Sequence, residues 1–349
     1  MTMGLHLFEA RVNCPMSKIL EKPDHGATFP IVLHPNELEF MAQSGTGHLL
    51  LVQANFFECG GVAVGLNISH KIIDAYTLCK FINSWAAIAL CSANTDHVVP
   101  PVKFGAAASL FPPLDFLNSP QPSIDFVKEN CITMRYLFDA SKITALKSKA
   151  ASAAVPNPTR VEVVSALIWK CVMEASRSNS DLRPSVWCQF VNMRKILPQA
   201  PGENLLGNLV GYSVAKTEER EVEHDVKSLV SKLRKGLEEF KVKYGNGISR
   251  EDVFQQCIEL SKLIGKVDID TYCSTSWCRF PFYEADFGWG KPSWMSIPST
   301  VEIKNMISLV DVSDGIGIEV RLTLKDEDMA IIESNQEMLA YASLNPSVV

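Results

Sequence analysis

Apolar and polar positions along the chain alternate between two periods. From Leu49 to Ser69 the sequence reads Leu-Leu-Leu-Val-Gln-Ala-Asn-Phe-Phe, then Glu-Cys-Gly-Gly, then Val-Ala-Val-Gly-Leu-Asn-Ile-Ser. Two β-type runs around a glycine-containing turn predict an antiparallel hairpin. Directly after it Leu78, Phe81, Ile82, Trp85 and Ile88 follow helical spacing, which predicts an amphipathic helix from about Asp74 to Ala89. His70 then falls at the junction of strand and helix. The run Pro-Pro-Leu-Asp-Phe-Leu-Asn-Ser-Pro-Gln-Pro-Ser at 112–123 can be neither helix nor central strand, because proline removes a donor and fixes φ. It is read as a linker between an N-terminal domain, 1–111, and a C-terminal domain, 124–349. Beyond it the pattern predicts a strand over Ile132–Phe138, a helix over Ala140–Ala150 with a lysine-rich outer face, and a loop over Ala151–Asn157. A further helix is expected over Arg160–Met173, through Val163, Ala166, Leu167 and Val172, and the charged stretch Glu218–Lys243 reads as a solvated helix. Mixed strands and helices with a hairpin suggest an α+β fold more than a parallel doubly wound sheet.

Composition narrows the function. The chain has 349 residues, 47% hydrophobic and 21% charged, with a formal net charge of −6, as in an ordinary soluble globular protein. Lysines and arginines are scattered, so no basic face is offered to a nucleic acid. The apolar stretch Phe81–Ala93 contains Asn83 and Ser84 and falls short of the ~20 residues that a membrane helix needs. Residues 1–13 carry Glu9 and Arg11 where a signal peptide has its apolar core, so the cytoplasm is the expected compartment. Ten cysteines include no C-x-x-C pair and seven histidines include no i, i+4 pair, so neither a disulfide framework nor a metal site is expected, and the thiols should be reduced and mostly buried. The sequon Asn67-Ile-Ser69 needs a secretory route and is read as chance.

No Gly-x-Gly-x-x-Gly, Walker loop or Gly-x-Ser-x-Gly elbow is present, so the usual anchors of nucleotide-binding folds and serine hydrolases are missing. Asp286-Phe287-Gly288 matches the metal-binding tripeptide of kinases, but the His-Arg-Asp loop, the Gly-rich loop and the Val-Ala-Ile-Lys strand do not accompany it. The pattern His70-Lys-Ile-Ile-Asp74 is weak by itself, since seven histidines and 39 acidic residues in 349 positions give about 0.8 chance matches to H-x-x-x-[D/E]. A neutral imidazole at a strand-to-helix junction can face a cleft and accept a proton. A core histidine bonded to backbone is the alternative at this point.

The second motif carries more information. Ser276-Trp-Cys-Arg-Phe-Pro-Phe-Tyr-Glu-Ala-Asp286-Phe287-Gly288-Trp289-Gly290-Lys291-Pro292, together with His70-x-x-x-Asp74, resembles the BAHD family of plant acyl-CoA-dependent acyltransferases, whose signatures are H-x-x-x-D and D-F-G-W-G. Further matches are Asn55-Phe-Phe-Glu-Cys-Gly-Gly, Arg160 to Lys170, Val191-Asn-Met-Arg194 and Gly207-Asn208, and the resemblance runs from Phe8 to the C-terminus. It implies two domains related to chloramphenicol acetyltransferase, with mixed sheets, flanking helices and a channel between them. The donor, acyl-CoA, and a small-molecule acceptor would enter that channel from opposite faces, with no metal or bound prosthetic group. His70 would be the general base. Asp74 would pair with Arg194 and be architectural, and Asp286, Gly288 and Gly290 would shape the CoA side. Thr275 and the indole N–H of Trp277 match the oxyanion or acyl-binding positions, and Asn208 would lie near the pantetheine or acyl group.

The segments around Asn55–Thr77 and Asp314–Glu319 look most like members that acetylate alkaloid hydroxyls, so acetyl-CoA and an alkaloid acceptor are expected, on a monomer. A volatile or terpenoid alcohol is an alternative acceptor. Family members usually carry roughly 80–90 more residues before the histidine motif than the 69 found here, a comparison that the resemblance supplies rather than any rule of domain size. The first domain is therefore expected to be incomplete, with exposed apolar surface and an open sheet edge. A non-catalytic binding homologue is the alternative role.

Overall fold

The computed structural model describes residues 6–23, 49–91, 130–180, 182–197, 205–217, 224–297 and 303–349. The linker expected at 112–123 lies outside them. Before it, β1 (His6–Val12) runs parallel to β2 (Leu50–Phe57), which pairs antiparallel with β3 (Val62–Ile68), Leu50 opposite Ile68 and Phe56 opposite Val62. This is the hairpin expected from the sequence. Its turn closes with Gly60 at φ +81°, a left-handed conformation that glycine adopts without steric cost. A short helix α1 (Ser17–Leu20) follows β1, and α2 (Ala75–Cys91) follows β3.

The remaining elements form β4 (Cys131–Phe138), α3 (Ala140–Ala150), α4 (Arg160–Asn179), β5 (Ser185–Asn192), β6 (Val210–Lys216), α5 (Val226–Tyr244), α6 (Arg250–Ile264), β7 (Asp270–Ser276), β8 (Met306–Asp311), β9 (Ile318–Lys325), α7 (Asp326–Ser334), α8 (Gln336–Tyr341) and β10 (Ser343–Leu344). Their strands make a mixed sheet in the order β10-β4-β9-β8-β7-β5-β6, with β8, β7 and β5 parallel and the other pairings antiparallel. The α+β architecture read from the sequence is the one observed.

Strand β9 shows why the sheet has two unlike faces. Ile318, Val320, Leu322 and Leu324 alternate with Glu319, Arg321, Thr323 and Lys325, and strand geometry sends the two sets to opposite sides. The apolar set joins Ile307, Leu309, Leu167 and Trp169 in the main core under α4. Helix α4 starts at a capping box, Thr159 with Glu162, and runs past the expected Met173 to Asn179, because its apolar stripe continues through Ala175 into the same core. On the opposite face, Leu260, Leu263 and Ile264 of α6 cover Val186, Cys188 and Cys273, while residues 291–297 lie over polar groups of β4 and β9.

Helix α5 corrects one expectation. Its charge density suggested a solvated helix, yet Val226, Leu229, Val230, Leu233, Phe240 and Tyr244 are buried; one apolar stripe suffices to dock a helix whose other faces are charged. Gly236 sets its distance from β6. A Cβ there would sit 2.3 Å from the Val214 carbonyl oxygen, so Gly236→Ala should lose about 1–3 kcal/mol to overpacking despite alanine's better helix propensity. A lowered urea midpoint at unchanged m-value would report it.

Candidate active site

Strand β3 stops at Ile68, and the Ile72 N–H donates to the Ser69 carbonyl at 3.1 Å, turning the chain at His70. The histidine is exposed at this turn, just beyond the strand rather than at its buried end. Four residues on, Asp74 caps α2: its Oδ1 accepts from the Thr77 N–H at 2.8 Å, satisfying a donor that the helix start leaves orphaned, and its carbonyl accepts the first intrahelical bond from the Leu78 N–H at 2.8 Å.

Arg194, in a 3₁₀ turn (Met193–Lys195) after β5, reaches this cap from 120 positions further along the chain. Its Nη1 donates to Asp74 Oδ2 at 2.6 Å and its Nη2 to Asp74 Oδ1 at 3.2 Å, with side-chain exposures of 2% for Arg194 and 4% for Asp74. The Leu209 N–H donates to Oδ2 at 3.1 Å. Each carboxylate oxygen thus accepts two bonds, a number that accounts for all its lone-pair sites. No acceptor remains for the imidazole of His70, so the geometry opposes a His–Asp dyad. The same guanidinium donates to Thr77 Oγ1 at 2.9 Å, to the Gly207 carbonyl at 2.7 Å and to the Leu205 carbonyl at 3.1 Å. It lies 4.8 Å from the centre of the Tyr76 ring, which meets Phe280 edge-on at 5.6 Å.

The remaining sequence-selected residues divide between this network and α2. Asn208 is exposed, and its Nδ2 donates to the His70 carbonyl at 2.5 Å; it holds the histidine's own backbone, a position that the resemblance had not suggested. Asp286 Oδ1 accepts from the N–H groups of Gly288 and Gly290 at 2.8 and 3.0 Å. Both glycines have positive φ, +103° and +111°, so the carboxylate organises a backbone path that side chains would strain. Phe287 stacks on Trp289 at 5.4 Å and meets Trp85 of α2 edge-on at 4.9 Å. Asn83 of α2 donates to the Pro281 carbonyl at 3.0 Å, so the second motif is fixed to the helix that starts beside His70. At the end of β7, Thr275 is half-buried and the ring of Trp277 stacks on Phe282 at 5.4 Å.

Sequence reasoning missed Thr77, Asn192 and the carbonyls of Leu205 and Gly207. Asn192 Oδ1 accepts from both the backbone and the Nη1 of Arg194 at 3.1 and 3.2 Å. Thr77 could have been found, since the third residue after a helix cap is where the cap's bond lands. Backbone carbonyls carry no residue signature. Two thiols lie close by, Cys79 in α2 and Cys278 after β7; burial pushes each up to about 12, so neither supplies a thiolate nucleophile at neutral pH.

Asp286→Ala should cost about 1–3 kcal/mol by leaving two N–H groups without their acceptor. Urea unfolding measures the effect.

Comparison with known proteins relates most of the chain to one family. The Transferase family model matches residues 4–339. The chain is 39% identical to akuammiline synthase 1 of Alstonia scholaris, over 98% of this chain and 78% of that protein. It is 35% identical to 17,18-epoxy-17-hydroxycur-19-ene N-malonyltransferase of Strychnos nux-vomica, over 98% and 72%, and 35% identical to minovincinine 19-hydroxy-O-acetyltransferase of Catharanthus roseus, over 97% and 79%. Among solved structures it is similar to vinorine synthase, at a TM-score of 0.76 and 28% identity, over 97% of this chain and 77% of that one. TRI101 of F. sporotrichioides, solved with coenzyme A and T-2, shares the fold at a TM-score of 0.72 and 17% identity, over 97% and 81%.

Proposed function

The chain belongs to the Transferase family of BAHD acyltransferases, and from that premise we propose that it transfers a short acyl group from acyl-CoA to a hydroxyl of an alkaloid, with His70 as general base. One observation carries the reading. His70 stands exposed on a turn whose backbone is held by Asn208 on one side and by the fully bonded Asp74–Arg194 pair on the other, which leaves the imidazole as the free end of an immobilised loop. A base helps only when it is held within hydrogen-bond reach of the proton it removes, and an anchored backbone fixes that reach.

In this reading an imidazole nitrogen of His70 takes the proton of the acceptor hydroxyl as its oxygen bonds to the thioester carbonyl carbon. The carbonyl becomes an oxyanion, for which the Thr275 hydroxyl and the Trp277 indole N–H are the candidate donors. Collapse breaks the carbon–sulfur bond, and the departing thiolate takes the proton back from the imidazolium. Ester and free CoA are the products, with no covalent enzyme intermediate; the protonated state of Cys79 and Cys278 accords with that. Acetyl-CoA is the first donor to test, because relatives are named as O-acetyltransferases. Purified chain with acetyl-CoA, malonyl-CoA and a panel of hydroxylated alkaloids should release free CoA in step with an acylated product mass. Release of CoA without any acylated alkaloid would overturn the acceptor assignment.

A further inference from the structure

The tip of the β2–β3 hairpin carries a thiol that acyl transfer does not use. The turn reads Glu58-Cys59-Gly60-Gly61, and it is closed by the Phe57 N–H donating to the Gly61 carbonyl and the Gly60 N–H to the Phe57 carbonyl, each at 2.9 Å. Cys59 is exposed there. Strand β3 (Val62–Ile68) separates this turn from His70, and at about 3.3 Å per residue it puts the two ends roughly 20 Å apart. The thiol therefore lies away from the site described above.

The segment that leaves β1 packs against the same turn. The Glu58 N–H donates to the Cys14 carbonyl at 3.4 Å, and the Met16 N–H donates to Cys59 Sγ at 3.4 Å. These two bonds hold residues 14–16 along residues 58–59, so the half-buried Cys14 flanks the exposed Cys59. Gly61 leaves the room for this contact. A Cβ there would sit 3.0 Å from Met16 Cε, 3.3 Å from Met16 Sδ and 3.5 Å from Cys59 Sγ, so the glycine of this turn faces both sulfurs. The N–H groups of Met16 and Gly61 hold the Cys59 thiol below the ordinary cysteine value, because a donor aimed at sulfur favours the anion. Cys257, the other exposed cysteine among the described residues, is shifted the opposite way by burial. An accessible sulfur that favours its thiolate, with a second cysteine beside it, is the arrangement in which oxidation is both fast and reversible.

We propose that Cys59 and Cys14 form a redox modification site: a hydroperoxide oxidises Cys59, and Cys14 captures the product as a disulfide that ties the end of β1 to the β2–β3 turn. The Cys59 sulfur attacks one peroxide oxygen, the O–O bond breaks, and the departing hydroxide takes the thiol proton and leaves as water. Sulfur is oxidised by two electrons to the sulfenic acid while the peroxide is reduced by two. Cys14 Sγ then attacks the sulfenyl sulfur. The S–S bond forms as the S–O bond breaks, and the second hydroxide leaves with the Cys14 proton, again as water. A dithiol reductant returns both thiols by exchange. The tie falls where the sheet is most open, since β1 is an outer strand whose ladder is made with β2 alone. A covalent link between residues far apart in sequence removes freedom from the unfolded chain, so the oxidised form should have the higher urea midpoint.

Two measurements on the fully reduced chain test this. Iodoacetamide labelling followed by peptide mass mapping should modify Cys59 at least about tenfold faster than Cys257. Hydrogen peroxide in small excess should join the peptides that carry Cys14 and Cys59, and dithiothreitol should separate them again. With dimedone present, Cys14→Ser should hold Cys59 as the sulfenic acid adduct, and Cys59→Ser should give neither adduct nor link. The wild type decides without any variant having to fold. Labelling of Cys59 no faster than that of Cys257 would overturn the proposal, as would peroxide that leaves Cys59 unoxidised, carries it to the sulfinic acid with Cys14 unlinked, or joins other cysteines instead.

Discussion

Arg194→Met is expected to destabilise the protein by about 3–5 kcal/mol, the cost of leaving one partner of a buried ion pair without the other. Asp74 would keep its bonds from Thr77 and Leu209 but lose both guanidinium bonds, with its charge still only 4% exposed. The carbonyls of Leu205 and Gly207 would lose their donor as well. Native domains are stable by only about 5–15 kcal/mol, so this change alone should shift the urea midpoint far enough to deplete folded protein at physiological temperature. Arg194→Lys should recover little, because one ammonium cannot reach the carboxylate, Thr77 and two carbonyls in the geometry of a planar fork. Acyl transfer should fall in parallel with the folded fraction. A variant of wild-type stability would show that the pair contributes nothing net to joining the two regions.

His70→Ala should behave in the opposite way. The side chain is exposed, and surface substitutions away from special features usually change stability by less than about 0.5 kcal/mol. The bond from Asn208 ends on the backbone carbonyl of residue 70 and survives the substitution. Turnover should fall by about 10²–10⁴-fold, the usual contribution of a positioned general base, with KM for the acyl donor little altered. Initial rates at saturating donor, beside a urea titration of the same preparation, separate chemistry from folding. A kcat within a few-fold of wild type would remove His70 from the role of base. The contrast between Arg194 and His70 is itself informative, since a change at one is expected to act through the fold and a change at the other through the reaction.

The hairpin, the helix after His70 and the strand at 131–138 were legible because each is a local pattern with a single period, bounded by glycine, proline or a cap. The α+β class followed from their order. Helix α5 was misjudged as solvated because charged residues crowd the stretch Glu218–Lys243, although burial depends on whether one stripe is continuous and not on the average. At the site, His70, Asp74 and Asp286 stood out because two short motifs accompany one another. The role of Asn208 did not: its partner is a main-chain carbonyl, and any residue could have supplied that atom.

The amino-acid order by itself determined which segments become strands and helices, placed a histidine where a strand gives way to a helix, and marked the family through two motifs more than two hundred positions apart. Only the tertiary structure decided what those residues touch. It spent every acceptor site of Asp74 on Arg194, Thr77 and Leu209. The reason is one of range. Periodicity and capping are written within a few residues of one another, whereas the balance of a buried charge depends on distant segments that share no local pattern and meet only when the sheet has formed.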